Sequence, residues 1–114
     1  MSNKIKTGFK VVSRIHSIFR SAFIGNLRYE INKWTNRPEG NYGPLAAFDR
    51  LCDVEQFLAN NIGLAREWVV FLCEYIESEE RYLYSPHGSM KGNMLPHGTV
   101  LADKVKLIKE VHNL

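Results

Sequence analysis

The stretch Glu67-Trp68-Val69-Val70-Phe71-Leu72-Cys73-Glu74-Tyr75-Ile76 restricts the fold more than any other part of the chain. Taken alternately, Trp68, Val70, Leu72 and Ile76 fall on one side, and Val69, Phe71, Cys73 and Tyr75 on the other. Both sides are apolar, and β-branched and aromatic residues dominate. That is the composition of a strand covered above and below. A buried helix is the rival reading, but the short run and its Val and aromatic content favour a strand. Each large apolar side chain gains roughly 1.5–3 kcal/mol on leaving water. The rest of the chain must therefore supply neighbours on two edges and covers on two faces.

With 114 residues the chain has room for one core. A hydrophobic content of 45% with 24% charged residues excludes a disordered polar chain. No run approaches the roughly 18 apolar residues that span a bilayer. Met1-Ser2-Asn3-Lys4-Ile5-Lys6 lacks the apolar centre of a secretory signal, so a cytoplasmic setting is expected. Two cysteines, Cys52 and Cys73, do not define a disulfide framework and are expected to be free, buried thiols. The net charge of +3 is unevenly spread. Residues 1–37 carry eight basic groups against Glu30, and residues 38–114 carry seven basic and eleven acidic groups, so the two parts stand at +7 and −4. A basic outer sheet face beside acidic loops accounts for this; a patch that meets an acidic protein or a nucleic acid is the sharper reading.

In chain order, residues 1–7 are expected to fray and 8–114 to form a single α+β domain. Strands are predicted over 9–15, with Phe9 and Val11 inward, over 18–24, and over 27–34, where Leu27, Tyr29 and Ile31 alternate with Arg28, Glu30 and Asn32. Residues 35–44 hold two prolines and two glycines and read as a fixed loop. A short strand at 45–48 precedes one main helix at about 50–61, where Leu51, Val54, Phe57 and Leu58 recur at helical spacing. Arg81–Tyr84 reads as a short strand, 85–94 as a loose loop, and 99–102 as a strand. Residues 105–111 fit strand alternation and a helical stripe almost equally; the Val content favours strand. The expected architecture is a twisted, mostly antiparallel sheet of 5–7 strands with one helix packed on it.

Several stretches resemble a group of small uncharacterised proteins carried by bacteriophages and bacterial mobile elements. They are Tyr29 to Trp34 with Pro38-Glu39-Gly40, then Gly43-Pro44-Leu45-Ala46-Ala47-Phe48-Asp49. Cys73-Glu74-Tyr75 with Ser78-Glu79-Glu80 follows, then Leu95-Pro96-His97-Gly98-Thr99-Val100-Leu101-Ala102-Asp103 with Val105-Lys106-Leu107-Ile108. The resemblance covers roughly residues 27–111. It carries over no functional residues. It implies a cytoplasmic accessory protein acting on host machinery, such as an inhibitor of host defence. The order of strands and the early helix are also distantly similar to mono-ADP-ribosyltransferase-like domains.

Under that second likeness, Glu77-Ser78-Glu79 matches a Glu-x-Glu pair and Arg14 would face a dinucleotide phosphate. The Ser-Thr-Ser element that should precede the pair is absent, and a solvated acidic turn explains the three residues. His16, His87, His97 and His112 share no metal-ligand spacing, and neither cysteine lies in a C-x-x-C. No phosphate loop or nucleophile elbow is present. No catalytic residue, metal or cofactor is therefore assigned. The aromatic residues Trp34 and Tyr42 flank the Pro/Gly loop, and Tyr82 and Tyr84 share one side of a short strand. With Arg37 they form the expected binding surface for a host protein or small ligand. Core filling is the alternative role for each aromatic. An ADP-ribosyltransferase-like enzyme and a nucleic-acid binder acting through the basic N-terminal third are the alternative functions. The sequence leaves the oligomeric state open.

Overall fold

The computed structural model describes residues 4–15, 18–21, 27–38, 43–60, 67–80, 82–85, 88–91 and 95–111. They form β1 (Ile5–Ile15), β2 (Ile18–Ser21), β3 (Arg28–Tyr29), β4 (Trp34–Asn36), β5 (Leu45–Phe48), α1 (Leu51–Asn60), β6 (Glu67–Glu77), β7 (Tyr82–Ser85), β8 (Gly88–Lys91) and β9 (Thr99–Glu110). Seven of the strands make one sheet, and β7 and β8 pair as a separate hairpin. The fold is α+β, with a twisted antiparallel sheet and one helix, as the hydrophobic pattern predicts.

The segment 67–76 lies in mid-sheet. β6 is hydrogen-bonded to β1 along one edge, from Ile5↔Ile76 to Arg14↔Glu67, and to β9 along the other. β5 also touches both of these neighbours, through Phe9↔Phe48 on β1 and four residue pairs on β9. The circuit β1–β6–β9–β5 is closed, so the sheet curls around its own inner face. Curling gives the inner side chains of β6 partners from the same sheet. Val69, Phe71, Cys73 and Tyr75 are buried there with Val12, Tyr29, Leu45, Ala47, Val105 and Leu107. Phe19 of β2 meets Phe71 edge-on, with ring centroids 5.0 Å apart.

The outer side of β6 is covered at one end by α1. Leu51, Val54, Phe57 and Leu58 lie over Phe9, Val11, Phe48, Trp68 and Val70. These are the four helix positions that recur at helical spacing. The Phe57 ring sits 5.4 Å from Phe48 and 6.1 Å from Trp68. The inner wall is tightest at Gly8. A Cβ there would stand 2.6 Å from the Phe48 carbonyl oxygen and 2.9 Å from the Tyr75 ring, so only glycine fits.

Several boundaries differ from the sequence reading. β1 begins at Ile5, where the expectation was fraying to residue 7, because Ile5, Lys6 and Thr7 pair with Ile76, Tyr75 and Glu74. Phe9 and Val11 face α1, and Lys10 and Val12 face the interior, since this strand too is covered on both sides. The stretch read as one strand at 27–34 is broken. Ile31 makes an isolated bridge to Leu107, Asn32 takes a left-handed φ of 65°, and β4 starts at Trp34, running into the expected loop. The loop expected at 85–94 contains β8. Residues 99–110 are one strand, which settles 105–110 as strand. Cys73 is buried and Cys52 is exposed, against the expectation that both thiols are hidden. Residues 22–26, 39–42 and 61–66 lie outside the described residues, so the expected Gly25–Asn26 turn does too.

Candidate functional site

Arg37 follows β4 and fastens it to two other elements. Its backbone N–H donates to the Asp103 carbonyl at 2.9 Å, continuing the β4–β9 ladder. Its guanidinium then divides between two carboxylates: Nη1 donates to Asp103 Oδ1 at 3.2 Å and Nη2 to Glu80 Oε2 at 3.0 Å. A planar fork with five N–H donors suits such a split, where a lysine ammonium would hold one partner well and the other poorly. Glu80 belongs to the turn after β6, and that turn is pinned from within. Ser78 is buried; its N–H donates to the Leu101 carbonyl at 2.8 Å, and its Oγ accepts from the Glu80 N–H at 3.1 Å. Between this turn and the start of β9 lies a cleft of about 210 Å³. Glu77, Ser78 and Glu80 line it together with Leu95, Val100 and Leu101.

Two expected aromatics, three residues before Arg37 and two residues after Glu80 in the chain, reach solvent. Trp34 is 37% exposed on β4 and Tyr82 is 48% exposed at the start of β7. The Lys106 Nζ stands 5.3 Å from the Trp34 ring centroid and 3.5 Å from the Glu74 carboxylate. Such a cation–π contact holds the indole in place without burying it. Tyr42 lies outside the described residues. Tyr84 pairs with Ser89 through β7, and its side chain is likewise outside the description. Of the five residues singled out by sequence, Arg37 is anchored at this junction, while Trp34 stands on β4 opposite Lys106 and Tyr82 opens the separate β7–β8 hairpin.

The structure does not bring together the enzyme alternative's residues. Arg14 is paired with Glu67 and Glu110 at one end of β6, while Glu77 is paired with Lys6 at the other. Ten residues of strand separate Glu67 from Glu77, a rise of roughly 33 Å. The hydrogen bond from Arg14 holds the Glu67 carboxyl below its usual range. Among the described residues, no group of three or more His, Cys, Asp and Glu side chains is placed to hold a metal ion. No described helix is long and apolar enough to cross a membrane.

Two groupings escaped the sequence reading. The first ties the Leu95–Gly98 turn to the start of α1. The buried Asp53 carboxylate accepts from Arg50 Nε at 3.1 Å and lies 3.8 Å from His97 Nε2. Gly98 has a φ of 81°, and its Cα hydrogen faces that carboxylate so closely that a Cβ would stand 2.1 Å from Oδ2. Asp49 N–H donates to the Gly98 carbonyl, completing the clamp. The Pro96-His97-Gly98 turn was the available signal. The second grouping is Lys10, buried inside the curled sheet. Its ammonium donates to the Ala46 carbonyl and lies 5.2 Å from the Tyr29 ring centroid. Burial pulls its pKa from 10.5 down to about 8, with the nearby Cys73 thiol opposing the change; burial pushes Cys73 itself up to about 12.

These features define a small curled-sheet protein with a cleft at a junction pinned by Arg37. The chain matches no protein-family model, no curated protein and no solved structure.

Proposed function

We propose that this chain is a small non-enzymatic binding protein that recognises another protein through the Arg37 junction, with Trp34 and Tyr82 as its aromatic contacts. The observation that carries the reading is the junction itself: one guanidinium fixes β4, β9 and the turn after β6 beside an open cleft. Surfaces that bind proteins combine rigid aromatics with a site that accepts an anchoring side chain. The cleft volume also chooses between ligand classes. At about 210 Å³ it lies below the roughly 300–1,000 Å³ of pockets that enclose whole small molecules. It suits one side chain of a partner protein, with an apolar stem against Leu95 and Leu101 and a cationic or hydrogen-bonding end at Glu77 and Glu80. In keeping with the family resemblance, the partner is a component of host machinery and the setting the host cytoplasm.

The test is capture from bacterial lysate by the tagged protein, compared with Tyr82→Ala and Arg37→Ala variants whose folding is verified by circular dichroism. The wild type is expected to retain a specific protein that both variants lose. Equal retention by well-folded variants, or no retention by the wild type, overturns the reading.

A further inference from the structure

The face of β9 that points away from the core carries a second, differently charged surface. The register of β6 against β9 places Lys104 opposite Ile76, Lys106 opposite Glu74 and Lys109 opposite Leu72. Residues 72, 74 and 76 are successive outward positions of β6, because Cys73 and Tyr75 between them are buried inside. The three lysines therefore project from one face. An irregularity in the β6–β9 register between Leu72 and Cys73 keeps Lys109 in the row. Along a strand, same-face residues recur about every 7 Å, close to the phosphate repeat of an extended single strand. On the next strand, Trp34 stands opposite Lys106 and is open to solvent. Glu74 is the carboxylate within this row and is already paired with Lys106. Lys104 and Lys109 are exposed and have no ion pair among the described residues. The helix packs over Phe9, Val11 and Val70 and the cluster takes in Val111, so it borders the Lys109 end of the row.

We propose that this face binds single-stranded nucleic acid, with the phosphates lying along Lys104, Lys106 and Lys109 and one base stacking against Trp34. Charge complementarity selects a polyanion. The solvent-exposed indole suits a ligand with exposed π-faces, which a duplex keeps stacked inside. The surface differs from the one proposed in the N-terminal third of the sequence, because the lysines come from the last strand. It shares Trp34 with the protein-binding reading but excludes Arg37, Tyr82 and the cleft, so the lysine replacements test it apart from that reading.

The experiment titrates fluorescein-labelled oligothymidylate with the full chain at several salt concentrations, following anisotropy. Three phosphate contacts to a single strand predict a slope of about −2 for log K against log salt. Replacing all three lysines by glutamine should abolish binding and that slope, and Trp34→Ala should weaken binding about tenfold. A triple Lys4→Gln, Arg28→Gln, Lys33→Gln variant, outside the row and likewise three charges down, is the matched charge control and should leave affinity within about twofold. Circular dichroism and thermal melts establish that each variant is folded; these side chains are exposed or partly so. Failure of the wild type to bind at low salt overturns the proposal. So does binding unaffected by the triple replacement, or equal affinity for polyglutamate, which would point to an acidic protein instead.

Discussion

Replacing Lys10 by methionine should make this protein more stable. The ammonium lies inside the curled sheet, fully enclosed, with the Ala46 carbonyl and the Tyr29 ring beside it. Drawing its pKa from 10.5 to about 8 corresponds to about 3 kcal/mol against the charged form at pH 7. Methionine retains most of the stem volume and carries no charge. It gives up the hydrogen bond to Ala46, a loss of about 1 kcal/mol. The expected net gain is about 2 kcal/mol, or roughly 8 °C in melting temperature for a chain of this size. The sign of the pH dependence follows from proton counts. Between about pH 8 and 10.5 the unfolded lysine holds a proton that the folded one releases, so stability rises with pH across that window. Cys73 acts oppositely: its unfolded thiol ionises near 9, while the folded one stays neutral to about 12, so it removes stability above pH 9. Tyr75, raised to about 12 by burial, does the same above pH 10. Wild-type stability should therefore climb by about 1 kcal/mol from pH 7 to 9, and the Lys10→Met variant should show no climb. Urea unfolding followed by tryptophan fluorescence measures both. A variant less stable than wild type at pH 7, or a wild type whose stability is flat over that range, would refute the argument that burial dominates this amine.

Two further outcomes follow from which side chains are enclosed and which are open. Gly8→Ala should cost roughly 2 kcal/mol in urea unfolding, because the new methyl group must displace the Phe48 carbonyl or the Tyr75 ring; a neutral result would mean that the wall is looser than the register implies. With a thiol reagent at pH 8, Cys52 should react at once and Cys73 only after denaturation, since one is exposed and the other buried with a raised pKa.

The parts of the fold legible in the sequence are those where one local pattern admits one physical solution. The two-sided apolar run at 67–76 must lie inside a sheet, and it does. Leu51, Val54, Phe57 and Leu58 must share a helix face, and they do. The parts that were not legible depend on contacts far apart in the chain. Lys10 interrupts an apolar strand and so reads as an outward residue next to inward Phe9 and Val11. Only closure of the sheet through β5 shows that its side of the strand is the enclosed one. The alternation through residues 27–34 continues past a left-handed Asn32, a conformation that asparagine tolerates and alternation cannot reveal.

The candidate site shows the same division. Arg37 stands out as a cation in a Pro/Gly-rich loop, but its roles depend on Glu80 and Asp103, which are 43 and 66 residues away. The β9 lysines are a sharper case. In sequence they alternate with Val105 and Leu107, and the same letters serve a strand or a helix. On a helix, Lys104, Lys106 and Lys109 would spread around the axis and form no row. On a strand paired with β6, the register aligns them with Ile76, Glu74 and Leu72 and puts Trp34 alongside. Whether the chain owns a linear cationic face was thus decided by the one secondary-structure choice that local composition left nearly balanced. Pairing decided it: β6, apolar on both faces, needed a second edge partner, and β9 had to be a strand to provide one.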